Sequence, residues 1–160
     1  MNENVHVLLI GAVNYYRRDL QNLPFVKNDL QAMKRTLRDD LKIPENNIRT
    51  CGEEGTLTVN KVLDVLVEES KKITNDDVFL FYFSGHGGIG RLALSDITMR
   101  ISELFLMLNK IKAKNIIVLI DSCCSGSFDF KISDNNKYEK EINDFVDKGN
   151  VVLALLFTAY

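Results

Sequence analysis

The chain has 160 residues, which is enough for one domain with a sizeable core and too few for two ordinary ones. Hydrophobic residues make up 46% of it and charged residues 26%, a composition typical of a globular protein. The formal net charge of −2 gives no reason to expect nucleic acid or an anionic membrane as a partner. We therefore predict a single globular domain over residues 1–160.

The cysteines and the apolar runs bear on the cellular compartment. An odd set of cysteines, Cys51, Cys123 and Cys124, suits a reducing compartment better than a disulfide framework. The N-terminus lacks the basic and apolar regions of a signal peptide. The longest apolar runs, 5–12 and 151–157, are far too short to span a membrane. These features predict a cytoplasmic protein with no membrane segment.

Apolar runs and helical patterns alternate along the first half of the chain. The run Val5–Ile10 predicts a buried strand, and after a polar loop an amphipathic helix is expected over about 26–41. A short strand is predicted over Ile48–Cys51. Thr58 is then suited to cap a helix that reaches about Ile73, because the apolar residues that follow it recur at helical spacing.

The second half repeats this alternation. Val78–Phe83 predicts a strongly apolar strand, Ser102 begins another amphipathic helix, and Ile116–Ile120 predicts the next strand. The segment 129–149 is polar and long for a loop inside a compact domain, which is typical of a functional loop or a linker between subunits. The last predicted strand is Val151–Thr158.

Continuous apolar strands separated by amphipathic helices indicate the fold class. Strands of this kind are buried on both faces, so they predict an α/β fold with a mainly parallel sheet between two layers of helices. The crossovers between parallel strands are expected to be right-handed.

Reactive side chains follow two of the predicted strands. His86 comes after the strand Val78–Phe83, and Cys123 comes after Ile116–Ile120. Because ligands bind at the carboxyl ends of the strands in such sheets, neighbouring strands would bring the imidazole and the thiol together. A free thiol, with a pKa near ~8.5, is mostly protonated at neutral pH, and an imidazole can take its proton. The pair therefore predicts a cysteine nucleophile with a histidine base.

Small residues flank both groups. Gly87 offers an unobstructed backbone N–H just after the histidine, and Cys123 supplies its own. Two such donors could stabilise the oxyanion of a tetrahedral intermediate, a contribution of roughly 3–4 kcal/mol for each donor. The alternatives without catalysis are that His86 is a structural histidine and that Cys123 is an inert buried thiol. Glycines around the histidine and small polar residues around the cysteine favour the catalytic roles over these alternatives. Taken by itself, Cys124 is better explained as a core residue.

A glycine pattern in the same region suggests a different chemistry. Residues 85–90 fit G-x-G-x-x-G after a strand, which is the pattern of a dinucleotide-binding loop. That function requires a helix to begin at the loop, whereas the residues that follow suit a short strand or a turn. The pattern also follows the third strand and not the first, so we do not predict dinucleotide binding.

The two motifs together resemble a known family. Tyr-Phe-Ser-Gly-His-Gly at 82–87 and Asp-Ser-Cys-Cys-Ser-Gly at 121–126 are similar to the histidine and cysteine motifs of the caspase-like clan of cysteine peptidases. The resemblance is closer to metacaspases, paracaspases and their bacterial relatives than to animal caspases. The first strand and the pair Asn28-Asp29 also resemble the opening segment of that clan. The resemblance covers nearly the whole chain.

The resemblance implies roles for individual residues. It implies a flavodoxin-like strand order, His86 as general base and acid, and Cys123 as the nucleophile that forms a thioester with a protein substrate. Asp29, Ser84 and Asp121 match the positions that form the acidic specificity pocket of metacaspases, which implies cleavage after Arg or Lys. Asp29 and Asp121 also have ordinary alternatives, as a charge at a helix N-terminus and as a strand-end cap.

The chain departs from the family pattern in two ways. It stops near the fifth strand, so the resemblance implies a large-subunit part that needs a small subunit or a regulatory partner. The cluster of acidic residues that serves calcium-dependent metacaspases is represented only by Asp96 and Asp129, so we expect no metal and no other cofactor. Four lysines of the segment 129–149 are candidate sites of self-cleavage: Lys131, Lys137, Lys140 and Lys148.

Two other classes of function compete with a peptidase. A caspase-like scaffold without turnover would act by binding partners, and the presence of both His86 and Cys123 argues against it. A flavodoxin-like nucleotide-binding domain would need a phosphate loop, and the only pattern of that kind is the glycine run discussed above.

Overall fold

The computed structural model describes residues 2–88, 90–122 and 151–156. Over these ranges the chain forms eight strands and three α-helices. The strands are β1 (Val5–Gly11), β2 (Ile48–Cys51), β3 (Val78–Gly85), β4 (Gly87–Gly88), β5 (Arg91–Ala93), β6 (Thr98–Arg100), β7 (Asn115–Ser122) and β8 (Val151–Leu156). The helices are α1 (Val26–Arg35), α2 (Val59–Ser70) and α3 (Ile101–Leu108), and short π and 3-10 turns occupy Thr36–Asp40 and Glu45–Asn47.

Five of the strands form one sheet in the order β2-β1-β3-β7-β8, and every neighbouring pair is parallel. Numbered within this sheet, the order is 2-1-3-4-5, which is the flavodoxin-like order. The predicted α/β fold class and strand order are therefore confirmed. The register aligns Gly11 of β1 with Ser84 of β3 and Asp121 of β7, so these three positions share one face of the sheet.

The helices lie on both faces of this sheet, as predicted. Helix α1 packs on β1, β2 and β3. It comes close because Gly11 has no side chain: a Cβ there would be 2.5 Å from Cγ1 of Val26. The connections through α2 and α3 run across the sheet in the opposite direction, so right-handed crossovers place these helices on the other face, where they contact each other.

The ends of the helices follow local hydrogen bonding. The predicted cap of α2 is confirmed, since Oγ1 of Thr58 accepts a hydrogen bond from the backbone N–H of Lys61 at 3.3 Å. The predicted helix over 26–41 is an α-helix only as far as Arg35. It continues as a π turn because the N–H of Leu41 donates to the carbonyl of Thr36, five residues earlier.

A second, smaller sheet was only partly predicted. β4, β5 and β6 form an antiparallel sheet after β3, and β5 lies near residues 91–94, where a short strand or a turn was expected. Since β3 is followed by a hairpin and not by a helix, the glycine pattern at 85–90 has no helix N-terminus to offer to a pyrophosphate. The structure thus agrees with the rejection of a dinucleotide-binding loop.

The core lies between the main sheet and its helices. Its largest fully buried side chains include Phe79, Phe81 and Phe83 of β3 and Phe105 of α3. In the part of the chain that the structure describes, no helix combines the length and the hydropathy needed to cross a bilayer.

Candidate active site

The two predicted catalytic motifs leave the sheet side by side. β3 and β7 are neighbours, and Gly85 is paired with Ser122 at their carboxyl ends. His86 is the next residue after the first of these, and Cys123 is the next after the second. Cys123 and Cys124 lie outside the described residues, so the contact between imidazole and thiol stays a prediction.

The imidazole of His86 is oriented by a main-chain carbonyl. Its Nε2 lies 2.8 Å from the carbonyl oxygen of Gln21, in the loop between β1 and α1. A carbonyl can only accept, so Nε2 carries the proton in this hydrogen bond. In the neutral ring, Nδ1 is then the nitrogen with a free lone pair. This tautomer is assigned from the hydrogen bond, and it makes Nδ1 the atom able to take a proton.

The backbone of His86 is held on both sides. Its N–H donates to the hydroxyl of Tyr15 at 2.9 Å, and its carbonyl accepts from the N–H of Ala93 at 2.9 Å. The Tyr15 ring also contacts the imidazole, with 4.9 Å between ring centroids and 53° between planes. The main chain of His86 is thus fixed by Tyr15 and Ala93, and its ring is in contact with the Tyr15 ring.

Gly87 presents its amide away from the hairpin. Because the carbonyl of His86 accepts from Ala93, the pair Gly87–Leu92 is a non-hydrogen-bonded pair of the antiparallel ladder. The N–H of Gly87 is therefore directed away from β5. Its Cα packs on Ser122: a Cβ at this position would be 2.5 Å from the Ser122 Oγ. This contact joins the histidine motif to the strand end that precedes Cys123.

The three predicted pocket residues lie close together on the α1 face. The hydroxyl of Ser84 donates to Oδ2 of Asp29 at 3.3 Å, which joins β3 to the first turn of α1. Asp121 lies beside Ser84 in the register and accepts a hydrogen bond at 3.3 Å from the hydroxyl of Tyr82. Two carboxylates and two hydroxyls therefore cluster at the same edge of the sheet as His86.

The electrostatics of this cluster follow from its burial and its charges. Burial raises the pKa of Asp29, and the negative charge of Asp121 raises it further, while the hydrogen bond from Ser84 opposes both. The pKa of Tyr82 is also raised, chiefly by burial and then by the charge of Asp121, so its phenol stays protonated and able to donate. A cation bound between the carboxylates would relieve the repulsion felt by Asp29.

The described residues offer no metal site. They contain no group of three or more His, Cys, Asp or Glu side chains that could hold an ion. The carboxylate of Asp96 instead accepts hydrogen bonds from the N–H groups of Val59, at the start of α2, and of Ile97. Asp129 lies outside the described residues, and the expectation of no cofactor stays a prediction.

Three groups at this edge were not predicted from the sequence. Tyr82 carried a signal, since it lies two residues before Ser84 in the same strand and must share its face. Tyr15 belongs to the loop after β1, where no pattern links it to a residue 71 positions away. The carbonyl of Gln21 is a main-chain group, so no choice of side chain could have indicated it.

A comparison with known families agrees with these observations. The sequence model of the caspase domain, a family of peptidases, matches residues 4–157. A search of curated proteins found no match for the chain. The family match spans nearly the whole chain and includes both motifs, so this chain belongs to the caspase-domain family of cysteine peptidases.

Proposed function

We propose that the chain is a cysteine endopeptidase that cleaves protein substrates after Arg or Lys, with His86 as its base and Cys123 as its nucleophile. The observation that carries the proposal is the hydrogen bond from Nε2 of His86 to the Gln21 carbonyl. It leaves Nδ1 with a lone pair at the strand end next to the one that leads to Cys123.

The proposed reaction has two steps. Nδ1 of His86 takes the proton of the Cys123 thiol, and the thiolate attacks the carbonyl carbon of the scissile peptide bond. The Nδ1 proton then passes to the leaving amine, the C–N bond breaks, and a thioester to Cys123 remains. In the second step Nδ1 takes a proton from water, which attacks the thioester carbon. The C–S bond then breaks, the acid product leaves, and the Nδ1 proton returns to the sulfur of Cys123. Throughout, the Gln21 carbonyl stabilises the imidazolium through the proton on Nε2.

The oxyanion of each tetrahedral intermediate needs N–H donors that no other group occupies. The amide of Gly87 is directed away from its own ladder, which supports this role for it. The amide of Cys123 is the second proposed donor. A donor aimed in advance at the developing charge is worth about 3–4 kcal/mol in comparable sites.

The acidic cluster supports a preference for a basic residue before the scissile bond. Asp29 and Asp121 provide two carboxylates near each other, and Ser84 donates to one of them. A guanidinium suits such a cluster because it can donate several hydrogen bonds in one plane, and an ammonium can act as a point charge. The cation would also offset the repulsion that raises the pKa of Asp29.

The proposal includes a partner and self-processing. β8 is the edge strand of the described sheet, and its apolar Val152 is 59% exposed. That edge suits pairing with a further strand from a small subunit or a regulatory chain. The lysines of 129–149 are the proposed sites of self-cleavage and lie outside the described residues. We place the protein in the cytoplasm and expect no nucleic acid and no membrane as partner.

The first prediction tests the nucleophile. Cys123→Ala is expected to abolish hydrolysis of a peptide with Arg before the scissile bond, because no thiol is left to form the acyl-enzyme. Cys124→Ala is the matched control and should keep the activity. Initial rates are measured by release of a fluorescent amine, and thermal unfolding checks that both variants fold.

Two outcomes would contradict this assignment. Activity that survives in Cys123→Ala but is lost in Cys124→Ala would move the nucleophile by one residue. A thiol-reactive probe carrying Arg at its reactive end should label the wild-type chain at Cys123. Absence of labelling, with and without calcium, would favour a scaffold without turnover.

A further inference from the structure

We infer that Tyr15 is a positioning residue for His86 and that the loop between β1 and α1, residues 12–25, holds the histidine in its working orientation. The inference rests on the proposed function for its effect on turnover. Its structural part, which concerns the hydrogen bond that Tyr15 accepts, can be tested separately.

Tyr15 contacts both the main chain and the ring of His86. Its hydroxyl oxygen accepts the N–H of His86 at 2.9 Å, and its ring lies 4.9 Å from the imidazole. The side chain is almost fully buried, with 8% of the residue exposed. The donating N–H of His86 is partly buried, so removing the acceptor leaves an amide that must move or turn to water for a new partner.

The strand end is shaped to admit this hydroxyl. Gly85 precedes His86, and a Cβ on it would lie 2.9 Å from the Tyr15 oxygen and 3.0 Å from the Phe83 ring. Any side chain at position 85 would therefore push the hydroxyl away from the amide. The hydrogen bond between Tyr15 and the His86 amide therefore requires glycine at position 85 as well as the phenol at position 15.

The same loop supplies a second contact to His86, at Nε2 of the imidazole. The carbonyl of Gln21 accepts from Nε2 of His86, and the side chain of the next residue, Asn22, accepts the backbone N–H of Tyr15 at 3.0 Å. The N–H of Leu23 also donates to the carbonyl of Val13 at 2.8 Å. The two points that hold His86 are thus tied to each other inside the loop.

The loop is in turn fixed to its surroundings. The N–H of Asn14 donates to the carbonyl of Gly55 at 2.7 Å, and the N–H of Tyr16 donates to the carbonyl of Ser95 at 2.8 Å. Both neighbours of Tyr15 are therefore bonded to separate parts of the chain. A loop anchored in this way can set the position of an imidazole, where a displacement of about 1 Å can cost on the order of a hundredfold in rate.

The test compares two adjacent tyrosines. Tyr15→Phe removes the accepting oxygen and keeps the ring, and Tyr16→Phe is the matched control because that side chain is 64% exposed. With an Arg peptide as substrate, Tyr15→Phe is expected to lower kcat by about tenfold to a hundredfold with little change in KM, since substrate binding is not altered. Tyr16→Phe should retain the wild-type values.

A second measurement does not depend on turnover. Hydrogen exchange of the His86 amide, followed by NMR, is expected to be faster in Tyr15→Phe than in the wild-type chain and unchanged in Tyr16→Phe. Gly85→Ala keeps the Tyr15 side chain but adds a Cβ that prevents its hydroxyl from reaching the His86 amide. Exchange of that amide should therefore be faster in Gly85→Ala as well. Thermal unfolding of each variant confirms that the comparison is made between folded proteins.

The outcomes separate the two proposals. An unchanged exchange rate in Tyr15→Phe, or a change in KM alone, would overturn the positioning role. If the wild-type chain shows neither turnover nor labelling of Cys123 while the His86 amide still responds to Tyr15→Phe, the contact stands and the peptidase proposal fails.

Discussion

The two halves of the candidate site are built by different means. The histidine half is held by main-chain groups and one phenol: the amide of His86 bonds to Tyr15, its carbonyl to Ala93, and its imidazole to the Gln21 carbonyl. The acidic half consists of side chains, with Asp29 and Asp121 bonded to Ser84 and Tyr82. One half fixes a position, and the other concentrates charge.

This difference has consequences for substitutions. Changes in the histidine half should displace reacting atoms and lower the rate for every substrate. Changes in the acidic half should alter which substrates are bound, and they should increase stability where they remove a partly buried charge. Functional sites commonly lower the stability of a protein, because groups placed for binding or catalysis are not placed for stability.

Among substitutions that leave Cys123 intact, the largest effect is expected at the contact between the two motifs. Gly87→Ala introduces a Cβ 2.5 Å from the Ser122 Oγ and 2.9 Å from its Cβ, so the hairpin must move away from β7. We expect kcat/KM for an Arg peptide to fall by about a hundredfold or more, because the oxyanion donor and His86 move together.

A double variant sharpens this test. Ser122→Gly removes the two nearest atoms that the new Cβ would meet and leaves the Arg91 carbonyl oxygen at 3.1 Å, so Gly87→Ala combined with Ser122→Gly is expected to recover part of the lost activity. The same Gly87→Ala change on an unaltered Ser122 serves as the reference. Losses that simply add in the double variant would show that the contact does not govern the position of the histidine motif.

A smaller and more selective effect is expected in the acidic half. Asp29→Asn keeps the shape and the bond from Ser84 but removes one charge, so kcat/KM for Arg peptides should fall by about tenfold to a hundredfold. The kcat/KM for peptides with a neutral residue before the scissile bond should fall much less. Asp64→Asn, the same change at an exposed position on α2, is the control. An equal loss of kcat/KM for basic and neutral peptides would argue against a pocket that binds the substrate through its positive charge.

The smallest effect is on stability, and its size depends on pH. The pKa of Asp29 is raised in the folded chain, so the folded state binds more protons than the unfolded state between the ordinary and the raised pKa. Stability therefore falls as pH rises through that window. Asp29→Asn should raise the melting temperature at neutral pH, and this gain should shrink to nothing at acid pH, where both states are protonated.

Melting curves of Asp29→Asn and Asp64→Asn across this pH range measure the effect. If Asp29→Asn is less stable than the wild-type chain at neutral pH, the extra strength that the Ser84 hydrogen bond gains from the carboxylate charge outweighs burial and repulsion.

The main sheet could be predicted because its signals are local. Val78–Phe83 is apolar without interruption, as a strand buried on both faces must be, and Thr58 precedes a helical pattern that it can cap. The hairpin β4–β5–β6 was mostly missed since its strands are only two or three residues long. Strands of that length are stabilised by what they pack against and have little pattern of their own.

The site divides in the same way. His86 and Gly87 could be singled out because histidine among glycines at a strand end is unusual for a core position. Asp29, Ser84 and Asp121 entered through resemblance to a family, and the structure brings them together at one sheet edge. Their roles, and that of Cys123, stay predictions.

By itself, the sequence determined the alternation of strands and helices and the edge at which the reactive groups emerge, since both depend on periodicity and on the order of elements along the chain. Only the tertiary structure decided that Tyr15 and the Gln21 carbonyl reach His86 and that Gly87 rests on Ser122. Those contacts join residues remote in the chain, and they depend on the path of a loop and on main-chain groups, which the identity of a side chain does not reveal.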